Sequence, residues 1–376
     1  MLSIAIGITK TQIYWRSWSA IAAVLLLTAC ALHSVTQKEK IVNQVSPVSA
    51  DNSSKKNLGI QRVDRKLVKP PSGPDPATQG IVLPALKPLE MEGSIAISGS
   101  QVILPLSQAI AQRYIENGYP SKIDLAGIDT QVGFKLFCDR KKVDIVNAVR
   151  PISSQEAQAC AKSGVEPIGF QIATDAVTIV VSSQNNFLPT NLTREQLAKI
   201  FTFEKWYDVN PKWPSEVIKR IVPAGAGTGG AVDLVVKAIL KGDCKQFLNS
   251  PYTVFYDFVE QLHSEALTNP YMVGFLEYAS YKQNQDQLKA IAIDGVVASS
   301  PQYPITRPLY IYADAKAIRT RPEIEGFINY YLTNVREESQ NLGYLPVKQQ
   351  VLEDSKAKFL QVQGNKGLSL EPSNNN

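Results

Sequence analysis

The sequence predicts an α/β fold in two lobes, and two observations predict it. Short apolar runs alternate with amphipathic helical patterns through the middle of the chain, as strands feeding helices do. That middle holds about 270 residues between polar flanks, more than one core usually organises. The run SIAIS at 94 to 98 reads as a strand, followed by a helix with Val102, Leu106, Ile110 and Tyr114 on one face. KIDLAG precedes a short helix over Gly133 to Cys138, and DIVNAV at 144 to 149 precedes one over 155 to 163. AVTIVVSS at 176 to 183 leads to LTREQLAKIF, where Thr193 and Gln196 form a capping box. IKRIVPA then leads to a helix facing Val232, Val235, Val236 and Ile239 inward. LKAIAID at 288 to 294, PLYIY at 308 to 312 and a helix opened by Pro322 complete the pattern, with no internal repeat.

The flanks are of a different kind. SWSAIAAVLLLTAC at 17 to 30 is an apolar run without acidic residues, preceded by Lys10 and Arg16, and reads as an export signal. An uncleaved anchor is the alternative, although the run is short of the roughly 20 residues that spanning takes. Leu27, Thr28, Ala29 and Cys30 resemble the lipobox of bacterial lipoproteins, which implies acylation of Cys30. Residues 30 to 92 are polar and rich in Ser, Pro and Lys, and read as a disordered tether. Residues 354 to 376 read as a C-terminal polar tail.

Composition excludes several functions. Without Lys10 and Arg16 the formal charge falls from +5 to +3, too little to suggest nucleic acid as a partner. The two histidines, His33 and His263, make a histidine zinc site or a Ser-His-Asp triad unsuitable readings, and no Gly-x-Ser-x-Gly elbow is present. No enzyme, metal or cofactor is expected. After Cys30 the cysteines are Cys138, Cys160 and Cys244, so one pair leaves one over. FEKWYDVNPKW at 203 to 213 reads as a loop packed by its own aromatics, with a partner-facing surface as the alternative.

Three loops follow a strand and open a helix: Gly99 to Val102, Asp129 to Phe134, and Gly225 to Gly230. Helix N-termini with free N–H groups attract anions, and open α/β sheets collect ligands at the carboxyl ends of their strands. Arg150 is the nearest strand-end cation; an ion pair with Asp144 or Asp175 is its alternative role. Residues 225 to 230 match G-x-G-x-x-G, but the acidic residue a dinucleotide site needs at the end of the next strand is missing.

The order of segments resembles the periplasmic phosphate-binding proteins of the phosphate ABC importer. The matching stretches are GSQVILPL, TQVGFKLFC, DIVNAVRPIS, ATDAVTIVV, LTREQLAKIF, AGTGG, VGFLEYASY, LKAIAID and YPITRPLYIY. The resemblance implies a two-lobed type II periplasmic binding protein, each lobe a mixed sheet flanked by helices, with a ligand cleft between the lobes. Lobe one would be residues 93–172 plus 275–353 and lobe two 173–274, after a signal peptide over 1–29. Phosphate or a related oxyanion would be held by Ser100, Gln101, Thr130, Arg150, Gly227, Thr228 and Gly229, with Asp129 or Asp175 as acceptor carboxylate. Gln101, Val102 and Ala226 stand where the family usually has hydroxyls, which predicts weaker binding. A Cys138–Cys160 disulfide is expected, since both end neighbouring short helices and the family often carries a pair there, leaving Cys244 free. The implied partners are an inner-membrane ABC permease and a lipid anchor for a monomer outside the cytoplasm. A tethered sensor or scaffold of the same fold with weak or no phosphate binding is the other functional class.

Overall fold

Apolar residues on both faces of a short strand call for helices on both sides, and that requirement organises the first third of the fold. The computed structural model describes residues 80–139, 142–224 and 230–364. Strand β1 (Ile95–Ser100) is buried almost throughout and lies between β2 (Ile123–Ile128) and β3 (Ile145–Ala148), all parallel. Helix α1 (Leu104–Glu116) connects β1 to β2, and α2 (Thr130–Cys138) connects β2 to β3. Right-handed crossovers place the two helices on opposite faces. Thus Ile95, Ile97 and Ile145 pack with Leu106, Ile110 and Tyr114, while Val146 and Ala148 pack with Phe134 and Phe137. Helix α3 (Ser154–Lys162) closes that second face through Cys160.

The chain then runs through β4 (Pro167–Ser182), a strand of 16 residues. Its first part, to Ala176, pairs with β10, and Val177 to Ser182 pairs with β8 and β9. Phe170, Ile172 and Ala173 belong to one core; Ala176, Val177 and Ile179 belong to another. Strand β4 therefore contributes to both cores.

The second core repeats the plan of the first. After β5 (Asn191–Leu192), α4 (Arg194–Thr202) and α5 (Trp206–Val209) comes β6 (Lys219–Pro223), between β7 (Thr253–Tyr256) and β8 (Met272–Glu277), again all parallel. Helices α6 (Ala231–Ala238) and α7 (Lys245–Asn249) precede β7, and α8 (Val259–Thr268) precedes β8. The Thr193–Gln196 capping box is formed, with N···O distances of 2.9 and 3.1 Å. The aromatic loop packs on itself: Trp206 and Trp213 are buried edge to face at 6.0 Å, with Phe187 against both. After α9 (Tyr278–Lys282), β9 (Leu288–Ile293) and β10 (Thr306–Asp314), the chain ends in α10 (Ala315–Thr320), α11 (Pro322–Asn341) and α12 (Gln349–Gly364).

Four expectations are corrected. The return to lobe one was placed at 275, but β9 pairs with the distal part of β4, and Ile291, Ile293, Tyr303 and Ile305 pack in the second core. The crossing therefore falls at Ile305 and Thr306, where β10 begins. The tail was placed from 354, but α12 continues to Gly364 because Leu352, Phe359 and Val362 form an apolar stripe on the first core. The tether was drawn to 92, yet Leu83 is buried, Ile81 and Met91 pack on that core, and Asn329 donates to the Pro84 carbonyl at 3.1 Å. Cys138 and Cys160 are bonded as expected, with Cα atoms 4.2 Å apart, but Cys244 is disulfide-bonded as well and not free.

Candidate functional site

Strand order and direction locate the site. Within each core the central strand has its two successors on opposite sides, in the orders β2-β1-β3 and β7-β6-β8. The carboxyl end of β1 and that of β6 are thus points where connections part to either side, leaving a crevice. Strand β1 runs parallel to β3, β3 antiparallel to β10, and β10 antiparallel to β4, so β1 points the way β4 does, toward the second core. Strand β6 is parallel to β8, which is antiparallel to β4, so β6 points back toward the first. The two crevices open toward each other across the hinge. The first and second predicted loops lie at the ends of β1 and β2, and the third begins where β6 ends.

At the first crevice the backbone is closely packed. Gly99 has φ of +128°, and a Cβ there would sit 2.2 Å from the Asn147 carbonyl oxygen of β3. Gly133 of α2 packs on Gly99, where a Cβ would come within 2.8 Å of its Cα. These glycines bring α2 onto β1 and so fix where its N-terminus lies. Ser100 is buried, and its Oγ accepts from the Val102 N–H at 3.2 Å; Gln101 is exposed. Thr130 is buried, and its Oγ1 accepts from the Val149 N–H at 3.3 Å. Asp129 is the N-cap of α2, accepting from Gln131 N–H at 2.7 Å and Val132 N–H at 3.3 Å. Two donors expected for a ligand are therefore engaged by the chain's own carboxylate.

Arg150 lies just past the end of β3, half-buried, with its guanidinium 5.8 Å from the centre of the Phe134 ring. Its partner is neither Asp144 nor Asp175. Asp144 is taken by Arg321 and Asp175 by Arg307. Arg150 instead makes a two-pronged pair with Glu156, each prong 2.8 Å, and donates to the Pro151 carbonyl at 3.1 Å. The bond to Glu156 raises the pKa of Arg150 above its ordinary value against the opposing effect of burial, and the charge of Asp129 adds to it. Burial works against ionisation of Glu156, but Arg150 and Ser153 outweigh it and hold the carboxyl below its usual value. Glu156 was not singled out from the sequence, yet Ser153-x-x-Glu156 has the spacing of a capping box and forms one.

Asp175, the other expected acceptor, lies at the hinge, 1% exposed. Arg307 of β10 reaches it at 2.8 and 2.9 Å and reaches Glu277, at the end of β8, at 3.0 Å. Burial pushes the Asp175 carboxyl up, Arg307 pulls it down, and Glu277 adds to the push. One guanidinium thus serves two carboxylates drawn from both sides of the hinge. Tyr344, whose charge environment includes all three, donates to the Val102 carbonyl at 2.6 Å, which ties the cluster to the first loop. Gly227, Thr228, Gly229 and Ala226 lie outside the described residues, as do Cys30 and the export signal. Cavities of about 280 and 530 Å³ occur elsewhere, one beside Lys219 and Tyr252, the other beside Arg336 and Glu353. No group of metal-ligating side chains occurs among the described residues, and no described helix is long and apolar enough to cross a membrane.

Known proteins share this plan. Residues 74–335 match the model of the PBP superfamily domain. Protein SphX of Synechocystis sp. is 30% identical over 291 residues, spanning 73% of this chain and 84% of its own. The phosphate-binding protein PstS of Staphylococcus saprophyticus is 29% identical over 280 residues, spanning 70% and 84%. Among solved structures, a possible phosphate binding protein from Planctomyces limnophilus superposes with a TM-score of 0.54 at 27% identity, covering 72% of this chain and 99% of its own. With facing crevices in two similar cores and a family match across most of its length, the chain belongs to the PBP superfamily.

Proposed function

We propose that this protein is the extracytoplasmic substrate-binding component of an ABC importer and that it binds inorganic phosphate between two lobes for delivery to a permease. The observation that carries this reading is the pair of β-sheet switch points facing each other across the β4 hinge, in a chain whose relatives include a named phosphate-binding protein. The lobes would be residues 80–175 with 306–364, and 176–305, following the division of the cores except at Ala279 and Leu345, which pack across the boundary. Ser100, Gln101, Thr130 and Arg150 would contribute from lobe one, and Gly227, Thr228 and Gly229 from lobe two. Asp175 is taken up by Arg307, so Asp129, which caps α2 through Oδ1 alone, is the acceptor carboxylate of this reading. The protein acts as a binding protein rather than an enzyme, as a monomer held at the outer face of the membrane.

Calorimetric titration of the mature domain with inorganic phosphate tests this reading. Saturable binding is expected, and Arg150→Ala should weaken it at least tenfold, a loss of about 1.4 kcal/mol. No heat and no thermal shift with millimolar phosphate would defeat the transport reading in favour of a sensor or scaffold.

A further inference from the structure

We infer that Glu156 is a positioning residue of the anion site: by gripping Arg150 from behind, it holds the guanidinium ready for an incoming oxyanion. This rests on the reading of Arg150 as the ligand's cation. A guanidinium has five N–H donors. Nη1 gives its two to Glu156 and Pro151, and Nη2 gives one to Glu156. The Nε–H and the second Nη2–H have no acceptor among the described residues. Two donors on one planar group are what a phosphate oxygen edge accepts.

The grip is itself held in place. Glu156 Oε2 also accepts from the Ser153 N–H at 2.9 Å and from its hydroxyl at 2.8 Å, and the Ser153 Oγ accepts from the Glu156 N–H at 3.3 Å. The Cys138–Cys160 disulfide joins α3, which carries Glu156, to α2, which carries Phe134 beneath the guanidinium. Immobilising an arginine before the ligand arrives removes an ordering cost from binding. The same carboxylate offsets part of the positive charge that attracts an anion. The two effects have opposite signs, so the experiment can tell which prevails.

Phosphate affinity is to be measured for the wild type, Glu156→Ala, Arg150→Ala and the double variant. Positioning predicts that Glu156→Ala weakens binding by roughly fivefold or more, with no further loss when Arg150 is already alanine. An unchanged or tighter Glu156→Ala variant overturns the inference, and so does an additive loss in the double variant, which would mark a role in α3 alone. If Arg150→Ala leaves no measurable binding, the guanidinium resonances of Arg150 in labelled protein decide. The Nη groups that Glu156 holds should rotate slowly about their Cζ–Nη bonds in the wild type and freely in Glu156→Ala, and the Nε–H resonance should move when inorganic phosphate is added. Equal rotation in the two proteins refutes the grip even if phosphate does not bind, whereas slow rotation without a phosphate response refutes only the proposed ligand.

Discussion

At the scale of single residues, charge placement decides more than hydroxyl count does. Arg307 is 4% exposed and is the shared partner of Asp175 and Glu277. Removing it leaves two carboxylates facing each other at the hinge, one of them fully enclosed. Breaking a buried ion pair from one side costs roughly 3–5 kcal/mol. Arg307→Ala should therefore lower the urea midpoint of the folded domain well below that of an exposed control such as Lys87→Ala. A midpoint within error of that control would mean that the cluster contributes nothing to folding. None of this was readable beforehand, because Asp175 and Arg307 are separated by 132 positions and only the β4–β10 register brings them together. Glu156 lies six residues from Arg150, and Ser153-x-x-Glu156 has the same capping-box spacing as Thr193-x-x-Gln196.

Among elements, those legible in the sequence are the ones whose reasons are local. The Thr193 capping box, the start of α11 at Pro322 and the strands flanking the loops all depend on neighbours within a few residues. Helix α12 was lost to the tail because its apolar positions are sparse, and it is held by Phe359 packing edge to face on Phe170 of β4, 6.3 Å between centres. β9 was assigned to the wrong lobe because a strand's period shows its two faces but not its partner strand. The α2–α3 disulfide gives an element-scale prediction. Closing a loop across a separation of 22 residues constrains the unfolded chain by about 3 kcal/mol in the chain-entropy model. A Cys138→Ala, Cys160→Ala double variant should thus melt at least about 5 °C lower than the wild type. If it melts at the same temperature, the helices are held by Phe134, Phe137 and Tyr312 alone.

For the whole molecule, the consequence of two cores joined by few segments is relative motion. Between them run β4 at Ala176 and Val177 and the link at Ile305 and Thr306. A ligand held at both switch points makes contacts in the closed arrangement that the open one cannot offer, so it favours closure by its differential affinity and by no more than that. Shifting a population from 1:99 to 99:1 takes a differential of about 10⁴-fold. With Asp129 already engaging the α2 N-terminus, the available differential is smaller than the loops alone suggest. Small-angle scattering of the mature domain should show a radius of gyration that falls as phosphate is added, over the same concentrations that produce heat in the calorimeter. Arg150→Ala should move that fall to phosphate concentrations at least tenfold higher. Saturable heat with a constant radius would mean that phosphate binds one lobe without bringing the other to it, and the two facing crevices would then not act as one site.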